Sequence, residues 1–552
     1  MWRSGVDDTE AKSPVTERRD KPVVVPAVAH PDPALEPLMT APGGDDTPCN
    51  SVLEKFGWWQ VRTLLVVGLV KVPSAWHMAS ILFTAPTPAP HQFWCARPPA
   101  LQHLDGRVWR NISHVRNEGK LDSCNVYREV YEMAIHHSDW STINIPDNAT
   151  TQLCEQFEYN SSITFVTEWD LVCSREVLVS VSQFFYLLGI LLGGVACTKL
   201  LQKSSPRSLI LGGMILQIIA GLGVANSPNF ELQVFLRFVT AFSCATMFTA
   251  GYVICTDNTG DTYCQIVGAA YEFFWSAGVI LLAVISYLVD NWRELQYAIT
   301  LPTAAILILY RWIPNSPRWL LNNGEMEAAR ELLERALMVN GDPNPKVPIL
   351  SPPIACSRME GSRTSWRVLI SLHVAWATTV VTYYGALLNI KNVGEELHVN
   401  TAIAGSAEVA GVLVGIVLLL RIKHKWRALG CINIIGGGAC FLSWTLPLEG
   451  NDTWGFSLLL LLAMMGRIAI GTSLTLLTVS SAEVIPAGRK KSWMFSAVTI
   501  ARVCLLSAPF IGSLAMFGPC VSLSVFGGLT VIGGVAAFFL DSPTILDGEL
   551  PK

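Results

Sequence analysis

Long apolar stretches dominate this sequence and restrict the folds that it can adopt. Hydrophobic residues make up 51% of its 552 residues and charged residues only 15%, whereas soluble domains carry about 25% charged residues. A helix needs about twenty mostly apolar residues to cross a bilayer. Twelve such stretches are predicted: 60–84, 176–200, 207–225, 231–254, 265–287, 295–313, 367–388, 402–420, 428–446, 456–481, 493–513 and 520–540. The sequence therefore predicts an all-α membrane protein with twelve transmembrane helices.

A polar insert separates the first two apolar stretches. It carries four cysteines (Cys95, Cys124, Cys154 and Cys173) and three N-x-Ser/Thr acceptor sites (Asn111, Asn148 and Asn160). An even cysteine set and glycosylation sequons are typical of an oxidising, extracellular compartment. The insert is therefore predicted to be a disulfide-bonded, glycosylated external loop. Four cysteines allow three pairings, and the sequence does not choose among them.

The distribution of basic residues between short loops predicts the same orientation. Lysines and arginines cluster in the connections after the second, eighth and tenth stretches, at 199–207, 421–427 and 489–491. Such clusters mark cytoplasmic loops. We therefore expect a multi-pass plasma-membrane protein with both termini in the cytoplasm. Its predicted segments are a disordered cytoplasmic tail (1–57), the first span (58–84), the external loop (85–175), spans two to six (176–314), a cytoplasmic linker with an amphipathic helix at 322–339 (315–366), spans seven to twelve (367–540) and a cytoplasmic tail (541–552).

The sequence does not favour enzymatic, cofactor or nucleic-acid chemistry. The net charge of −4 indicates no nucleic-acid partner. There is no phosphate-binding loop, and the Gly-x-Gly at 221–223 lacks a third glycine and lies in an apolar stretch. The adjacent His136 and His137 do not share a face, so no metal site is predicted. Without a nucleophile–base or metal constellation, an enzyme is not expected, and the expected partners are a small organic ion and the lipid bilayer.

Short motifs along the whole chain resemble a known family. They are EWDLVC at 168–173, WRELQ at 292–296, PNSPRWL at 314–320, YYG at 383–385 and AEVIP at 482–486. In this order the chain resembles the solute carrier 22 transporters of the major facilitator superfamily, which carry organic cations, anions and zwitterions. The resemblance implies two six-helix halves around a central cavity that opens alternately to each side.

The chain departs from the family pattern at the motifs that control gating. The family motif G-x-x-x-D-R/K begins here at Gly194, but Thr198 replaces the acid before Lys199. That acid normally stabilises the outward-facing state, so its loss is expected to weaken the contacts that hold the cytoplasmic side closed. Further gating candidates implied by the resemblance are Asp257, where the family has a glutamate, Arg318 in the PNSPRWL motif, and Glu483 with Arg489 after the tenth stretch.

Charged and aromatic residues within the apolar stretches are the candidates for a substrate cavity, because a charge in the membrane needs a cavity or a partner. The candidates are Lys71, Glu272, Trp376, Tyr383, Tyr384, Glu408 and Arg502. Arg502 has no acid in its own stretch, so it either binds a substrate carboxylate or pairs with Glu272 or Glu408. Lys71 either faces the cavity or extends to the membrane surface. Of Tyr383 and Tyr384, one is expected to face the cavity and the other a neighbouring helix.

Two functions follow from these residues. The first is a transporter of small organic ions, in which two basic and two acidic cavity residues suit a zwitterion or an organic anion at least as well as a cation. The alternative is a transport-deficient membrane receptor or scaffold that uses the glycosylated ectodomain. The loss of the acid from the gating motif, where Thr198 replaces it, motivates this alternative.

Overall fold

Helices occupy every stretch that is predicted to cross the membrane. The structure is a computed structural model, and it describes residues 48–86, 88–97, 99, 102, 105–113, 115–117, 120–129, 150–160, 163–347, 366–390, 396–445, 453–486 and 489–541. All of them belong to one compact unit. The sequence-based spans and the helices agree to within a few residues, because the apolar length fixes where a helix can run.

The first half of the chain begins with three helices, α1 Pro48–Leu53, α2 Trp58–Ala79 and α3 Ile81–Thr84. The described part of the insert then holds β1 Phe93–Cys95, α4 Gly106–Ser113, β2 Val115–Asn117, β3 Lys120–Asp122, β4 Asn125–Tyr127, β5 Thr151–Leu153, β6 Phe157–Tyr159 and α5 Phe165–Glu168. The half ends with α6 Val177–Leu200, α7 Pro206–Ala225, α8 Phe230–Asp257, α9 Asp261–Ala270, α10 Phe273–Leu288 and α11 Trp292–Ile308.

Two linker helices, α12 Pro317–Asn322 and α13 Met326–Val339, lead to the second half. That half comprises α14 Trp366–Leu388, α15 Leu397–Arg421, α16 Lys425–Leu442, α17 Thr453–Ser480, α18 Lys490–Leu505, α19 Ala508–Ser513 and α20 Pro519–Leu540. Single 3-10 turns follow several of these helices, at Leu309–Trp312, Ser443–Thr445, Ser481–Glu483 and Leu514–Phe517.

Ten helical segments of the described chain are long and apolar enough to cross a membrane. The two predicted spans that do not qualify contain α11 and α16. Helix α11 has only 17 residues, and α16 begins with the charged residues Lys425 and Arg427. Both nevertheless pack within the bundle, α11 against α7 and α16 against α20.

Local sequence signals set the helix ends. Helix α7 starts at Pro206, and the preceding Ser205 accepts a hydrogen bond from the Ser208 amide. Asn229 caps α8 by accepting from the Leu232 amide at 3.0 Å. Proline at the first helical position has no amide hydrogen that would lack a partner, and Ser or Asn at the cap accepts from an amide that has no partner inside the helix.

The two halves contact each other through several helix pairs, including α9 against α15 and α17 and α6 against α19. Helix α10 packs against α15, and α6 packs against α18. Within the first half, α8 packs against α2, α6 and α7. Within the second half, α20 packs against α14 and α16. The side of the bundle that carries the insert is called the insert side below, and the side that carries α12 and α13 is called the linker side.

Two of the family-like motifs contact each other on the insert side. Glu168 accepts a hydrogen bond from Trp292 Nε1 at 2.8 Å and forms an ion pair with Arg293. Arg293 also donates to the carbonyl oxygens of Ala225 and Ser227 at 2.7 and 2.8 Å. The EWDLVC motif therefore attaches the insert to the ends of α7 and α11.

The cysteines of the insert form two disulfides, Cys95–Cys154 and Cys124–Cys173. Antiparallel pairs β1–β6, β2–β3 and β4–β5 accompany them. Among the glycosylation candidates, Asn160 is exposed, Asn111 lies on α4, and Asn148 lies outside the described residues. The sequence allowed three pairings of these four cysteines, and the structure has this one.

The Cys124–Cys173 disulfide joins the middle of the insert to the start of α6. We expect Cys124→Ser to loosen the insert by about 2–5 kcal/mol, since the crosslink no longer limits the unfolded loop. Limited proteolysis of intact cells should then cleave the insert faster than in the wild type. Cys431→Ser, which removes an exposed free thiol, is the control and should leave the rate unchanged. Peptide mapping that finds another cysteine pairing would contradict this arrangement.

The linker side differs from the prediction in two respects. Residues 48–53, expected to be disordered, form α1, whose Leu53 packs with Trp319 and Leu333. The predicted amphipathic helix at 322–339 corresponds to α13, which starts only at Met326 because Gly324 adopts a φ of +78° between α12 and α13. Asn50 of α1 accepts from Arg318 at 2.9 Å and donates to Asp261 at 2.9 Å. These contacts attach α1 to both the linker and the bundle.

Candidate functional site

A cavity of about 200 Å³ lies between the two halves. It is bordered by α2, α6, α8, α10, α14, α17 and α18, together with the turn between α9 and α10. Six of the seven sequence-based cavity candidates line it: Lys71, Glu272, Trp376, Tyr383, Tyr384 and Arg502. Gly194 and Thr198, predicted as gating residues, line it as well.

Lys71 and Glu272 form an ion pair in this cavity. Lys71 Nζ lies 2.7 Å from Glu272 Oε2, and both side chains are largely buried. Lys71 also lies 4.3 Å from the centre of the Tyr271 ring, which adds a cation–π contact. Glu272 can reach Lys71 because it lies in the turn between α9 and α10. The two charges neutralise each other, so together they contribute no net charge to the cavity.

Arg502 is the unpaired charge of the cavity. It lies on α18, and no carboxylate within the described part of the chain forms an ion pair with it. Its guanidinium lies against Gly194 of α6, where a side chain would occupy the same space. The guanidinium carbon is 5.9 Å from the centre of the Phe248 ring. Neither of the acids proposed as its partner, Glu272 or Glu408, pairs with it. With Lys71 and Glu272 compensated, the cavity carries one net positive charge.

Aromatic side chains form much of the remaining wall. Tyr383 and Tyr384 both line the cavity, with their ring centres 5.1 Å apart. The expectation that only one of them faces it is therefore wrong, because the cavity is wide enough to contact two faces of α14. Trp275 contacts Tyr384 edge-on at 5.7 Å. Trp376 donates from Nε1 to Ser481 Oγ at 3.0 Å, which fixes its ring in the wall.

Glu408 is the cavity candidate that the structure places elsewhere. It is 1% exposed and lies behind the cavity wall, where its Oε2 is 2.7 Å from Arg467 Nη2. Arg467 also donates to the Tyr383 carbonyl and lies 4.6 Å from the centre of the Tyr383 ring. Its partner is thus Arg467 of α17 and not Arg502. The buried pair supports Tyr383 from behind.

The predicted gating residues of the first half separate into two groups. Thr198 Oγ1 donates to the Gly194 carbonyl at 3.0 Å within its own helix, and Lys199 is exposed. Neither of them replaces the missing acid. Asp257, in contrast, is fully buried and accepts a hydrogen bond from Ser316 Oγ at 2.6 Å. Arg318 pairs with Asp261 at 3.0 Å. The acids of Asp257 and Asp261, together with Asn50, hold the linker against the bundle.

The carboxylates of Asp257 and Asp261 also affect the pKa of Arg318. Burial lowers the pKa of Arg318, but the carboxylates of Asp257 and Asp261 more than offset this, and the net pKa is raised above the ordinary value. Arg318 therefore stays charged at any physiological pH.

Glu483 forms the main polar contact between the halves on the linker side. Its Oε2 lies 2.6 Å from Lys425 Nζ, and its Oε1 accepts from Gln265 of the first half. Nearby, the Tyr252 hydroxyl donates to the Thr478 carbonyl at 3.4 Å. The expected neighbour Arg489 is exposed, and among the described residues it forms no ion pair with Glu483. The family resemblance thus identified Glu483 as a gating residue, but it did not identify its partners Lys425 and Gln265.

The halves also meet on the insert side. Ser180 Oγ and Ser513 Oγ are 3.0 Å apart, and the rings of Phe184 and Phe510 lie 6.1 Å apart. His398 of α15 also lies 3.1 Å from Ser286 Oγ of α10 and stacks on the Phe83 ring at 5.0 Å. The cavity therefore lies between two layers of contacts, one at each end.

Several lining residues carried no sequence signal that distinguishes them from ordinary helix packing. They include Phe248, Thr249, Tyr252, Thr478, Thr499 and Val498. Phe and Thr are frequent in every apolar stretch of this chain, and only the packing of the helices selects the faces that meet. Charged and aromatic residues in the membrane spans were the signals that identified cavity residues.

Gly194 is predicted to be required for the position of Arg502. We expect Gly194→Ala to displace the guanidinium and to lower the uptake of organic ions several-fold, because the added methyl group takes its place. Gly212→Ala is the matched control, since a methyl group there meets no atom within 4 Å. Concentration-dependent uptake at equal surface expression is the measurement. Equal uptake by the two variants would contradict the predicted contact.

Comparisons of the sequence and of the structure with known proteins agree on one superfamily. Residues 169–501 match the family model of the Major Facilitator Superfamily. An organic cation transporter protein of Drosophila melanogaster is 27% identical, over 91% of this chain and 92% of that protein. Organic anion transporter 3 of Sus scrofa is 26% identical, over 90% of each chain. The inward open xylose transporter XylE from E. coli superposes with a TM-score of 0.55 at 14% identity, covering 87% of this chain and 95% of that one.

These relatives extend over nearly the whole chain, and they are transporters rather than enzymes. The solved structure supports the fold alone, because its sequence identity is low. The resemblance drawn from the short motifs is confirmed by the curated relatives, which include solute carrier family 22 members. The chain belongs to the Major Facilitator Superfamily, and it is a divergent member similar to the organic-ion carriers of solute carrier family 22.

Proposed function

We propose that this protein carries small organic anions, or zwitterions that bear a carboxylate, across the plasma membrane by alternating access. The observation that carries the proposal is the unpaired Arg502 in a cavity whose other two charges neutralise each other. A guanidinium in a low-dielectric site binds a carboxylate or sulfate bidentately. A simple cation would meet a net positive charge there, which disfavours its binding.

The proposed topology has twelve membrane-crossing helices with both termini in the cytoplasm. The insert side then faces outward, as its disulfides and sequons favour. The linker side faces the cytoplasm, which agrees with the basic residues between its helices. Helix α11 is shorter and α16 less apolar than the other spans. Both nevertheless cross the membrane in this topology, because each half of a major facilitator protein has six spans.

Alternating access requires that each layer of contacts opens in turn. Opening toward the cytoplasm breaks the contacts of Glu483 with Gln265 and of Tyr252 with Thr478. Opening toward the outside separates Ser180 from Ser513 and Phe184 from Phe510. The cytoplasmic layer contains the Glu483 carboxylate and the outer layer contains His398, so the two openings break different kinds of contact.

The substrate class is tested by uptake into cells that express the full chain. A labelled organic anion, carnitine and a quaternary ammonium cation are compared with mock-transfected cells. We expect the anion and carnitine to enter faster than in mock cells, and the cation to enter no faster. Selective entry of the cation would contradict the proposed role of the positive cavity.

A transport-deficient receptor is the alternative function. It predicts that no substrate enters while the ectodomain binds ligand at the cell surface. The charged cavity between the halves favours transport over this alternative. Because Thr198 lines the same cavity as Arg502, restoring the family acid with Thr198→Asp would place a carboxylate near the guanidinium. Under the proposed function that variant lowers anion uptake.

A further inference from the structure

Four arginines meet at a second cavity on the linker side of the first half. Arg62 of α2, Arg207 of α7, Arg311 after α11 and Arg335 of α13 all line it, and its volume is about 400 Å³. They come from four separate helical segments that are up to 273 positions apart in sequence (335 − 62). Only the folded chain brings these positive charges together.

The arginines lack carboxylate partners. Within the described residues, none of the four takes part in an ion pair of 4 Å or less, although Glu325 and Glu331 also line the cavity. The Nε atoms of Arg62 and Arg207 are buried and have no hydrogen-bond partner there. Four arginines against two glutamates leave two net positive charges. Arg62 and Arg207 are half-buried, and Arg311 and Arg335 are exposed. The two buried Nε donors are costly unless an anion accepts their hydrogen bonds.

Aromatic rings and fixed polar contacts make the cavity a preformed one. The guanidinium of Arg62 lies 4.9 Å from the centre of the Trp59 ring, and that of Arg207 lies 4.7 Å from the centre of the Tyr310 ring. Trp59 is itself held by Asn340, which accepts from its amide at 2.8 Å. The rings therefore hold two guanidinium groups in place before any ligand arrives.

The edge of this cavity has the character of a membrane surface. Trp312, which lines it, is 52% exposed, and Ile308, one turn earlier, is 75% exposed. Exposed tryptophan is typical of the headgroup level of a bilayer, and exposed isoleucine of its apolar interior. A ligand with a phosphate head and acyl chains would contact both the arginines and these side chains.

We propose that this arginine cavity binds the phosphorylated headgroup of an anionic phospholipid. Arginine forks match phosphate oxygens bidentately, and basic cavities between membrane helices on the cytoplasmic side suit such headgroups. The assignment to the cytoplasmic leaflet rests on the proposed topology, whereas the phosphate chemistry does not. A bound headgroup would link the ends of α2, α7 and α11 to the linker helix α13.

The test measures binding to the purified full chain in detergent by native mass spectrometry and by the thermal unfolding midpoint. The probes are a short-chain phosphatidylinositol bisphosphate, a short-chain phosphatidylcholine, inositol trisphosphate and inorganic phosphate. We expect the bisphosphate lipid to bind and to raise the midpoint, and phosphatidylcholine to do neither. Equal or stronger binding of inositol trisphosphate would retain the phosphate site but contradict the lipid as its occupant.

Arg335→Gln and Arg330→Gln form a matched pair of variants on the same helix. Arg335 lines the cavity, whereas Arg330 points away from it and pairs with Glu334. We expect Arg335→Gln to weaken lipid binding about tenfold and Arg330→Gln to leave it unchanged, because one charged hydrogen-bond donor is lost from the site only in the first. Both residues are exposed, so both variants should fold.

A second pair of variants separates charge from geometry. Arg62→Gln with Arg207→Gln should abolish binding, and Arg62→Lys with Arg207→Lys should restore it in part, since lysine keeps the charge without the fork. Equal binding by Arg335→Gln and Arg330→Gln, or no binding of the bisphosphate lipid to the wild type, would overturn the proposal. Because the readout is binding and not transport, its failure leaves the proposed function untouched.

Discussion

Replacing Arg502 by alanine is expected to lower the uptake of organic anions by about tenfold or more, because the charged hydrogen bonds to the substrate carboxylate are lost. The protein should remain folded. Arg502 has no carboxylate partner among the described residues, so its removal leaves no buried charge uncompensated. The measurement is concentration-dependent uptake at matched surface expression, together with thermal unfolding of the purified variant.

Two further variants make this result specific. Arg502→Lys keeps the charge but loses the planar fork, so uptake should fall to an intermediate level. Arg421→Ala removes an exposed arginine at the end of α15, outside the cavity, and should change uptake little. If Arg502→Ala transports anions with unchanged maximal rate and half-saturation, the cavity arginine does not bind the substrate.

Removing either member of the Glu408–Arg467 pair is expected to cost about 3–5 kcal/mol of stability, because the remaining charge is buried without a partner. Both side chains are almost fully buried, at 1% and 3% exposure. Glu408→Gln and Arg467→Gln should each lower the unfolding midpoint strongly. The double variant Glu408→Leu with Arg467→Leu should recover most of the loss, since no charge is then left unpaired.

The exposed pair Arg330–Glu334 is the matched control for this cycle. Its arginine is 56% exposed, and such pairs contribute about 0–1 kcal/mol. Arg330→Gln should therefore shift the midpoint little. Additive losses in the double variant, with no recovery, would argue that Glu408 and Arg467 act independently. Arg467→Gln should also lower uptake, because Arg467 holds Tyr383 of the cavity wall from behind.

The positions of the helices could be predicted from the sequence, because apolar length is a local property. The breaks within the predicted spans could not be predicted from the sequence. The fifth span divides into α9 and α10 at Tyr271 and Glu272, and the eleventh into α18 and α19 near Ser507. The first break matters for function, because it brings Glu272 to Lys71. No proline or glycine marks that turn, so tertiary packing determines it.

Ion-pair partners were the least predictable feature of the site. Glu408 and Arg467 are 59 positions apart, and several acids competed as partners for the basic residues. The sequence identified which charges lie in the membrane, but a pair depends on which helix faces touch. The arginine cavity on the linker side was missed for the same reason. Each of its arginines alone resembles an ordinary topology signal at a helix end.

Flux through purified protein in sealed vesicles tests the central claim most directly. The full chain is reconstituted into proteoliposomes without ATP, loaded with unlabelled organic anion, and exposed to labelled anion outside. The account predicts that wild-type vesicles accumulate label by exchange, that Arg502→Ala vesicles accumulate at least about tenfold less, and that a quaternary cation does not exchange. Label uptake by wild-type vesicles no faster than by protein-free vesicles would contradict the account.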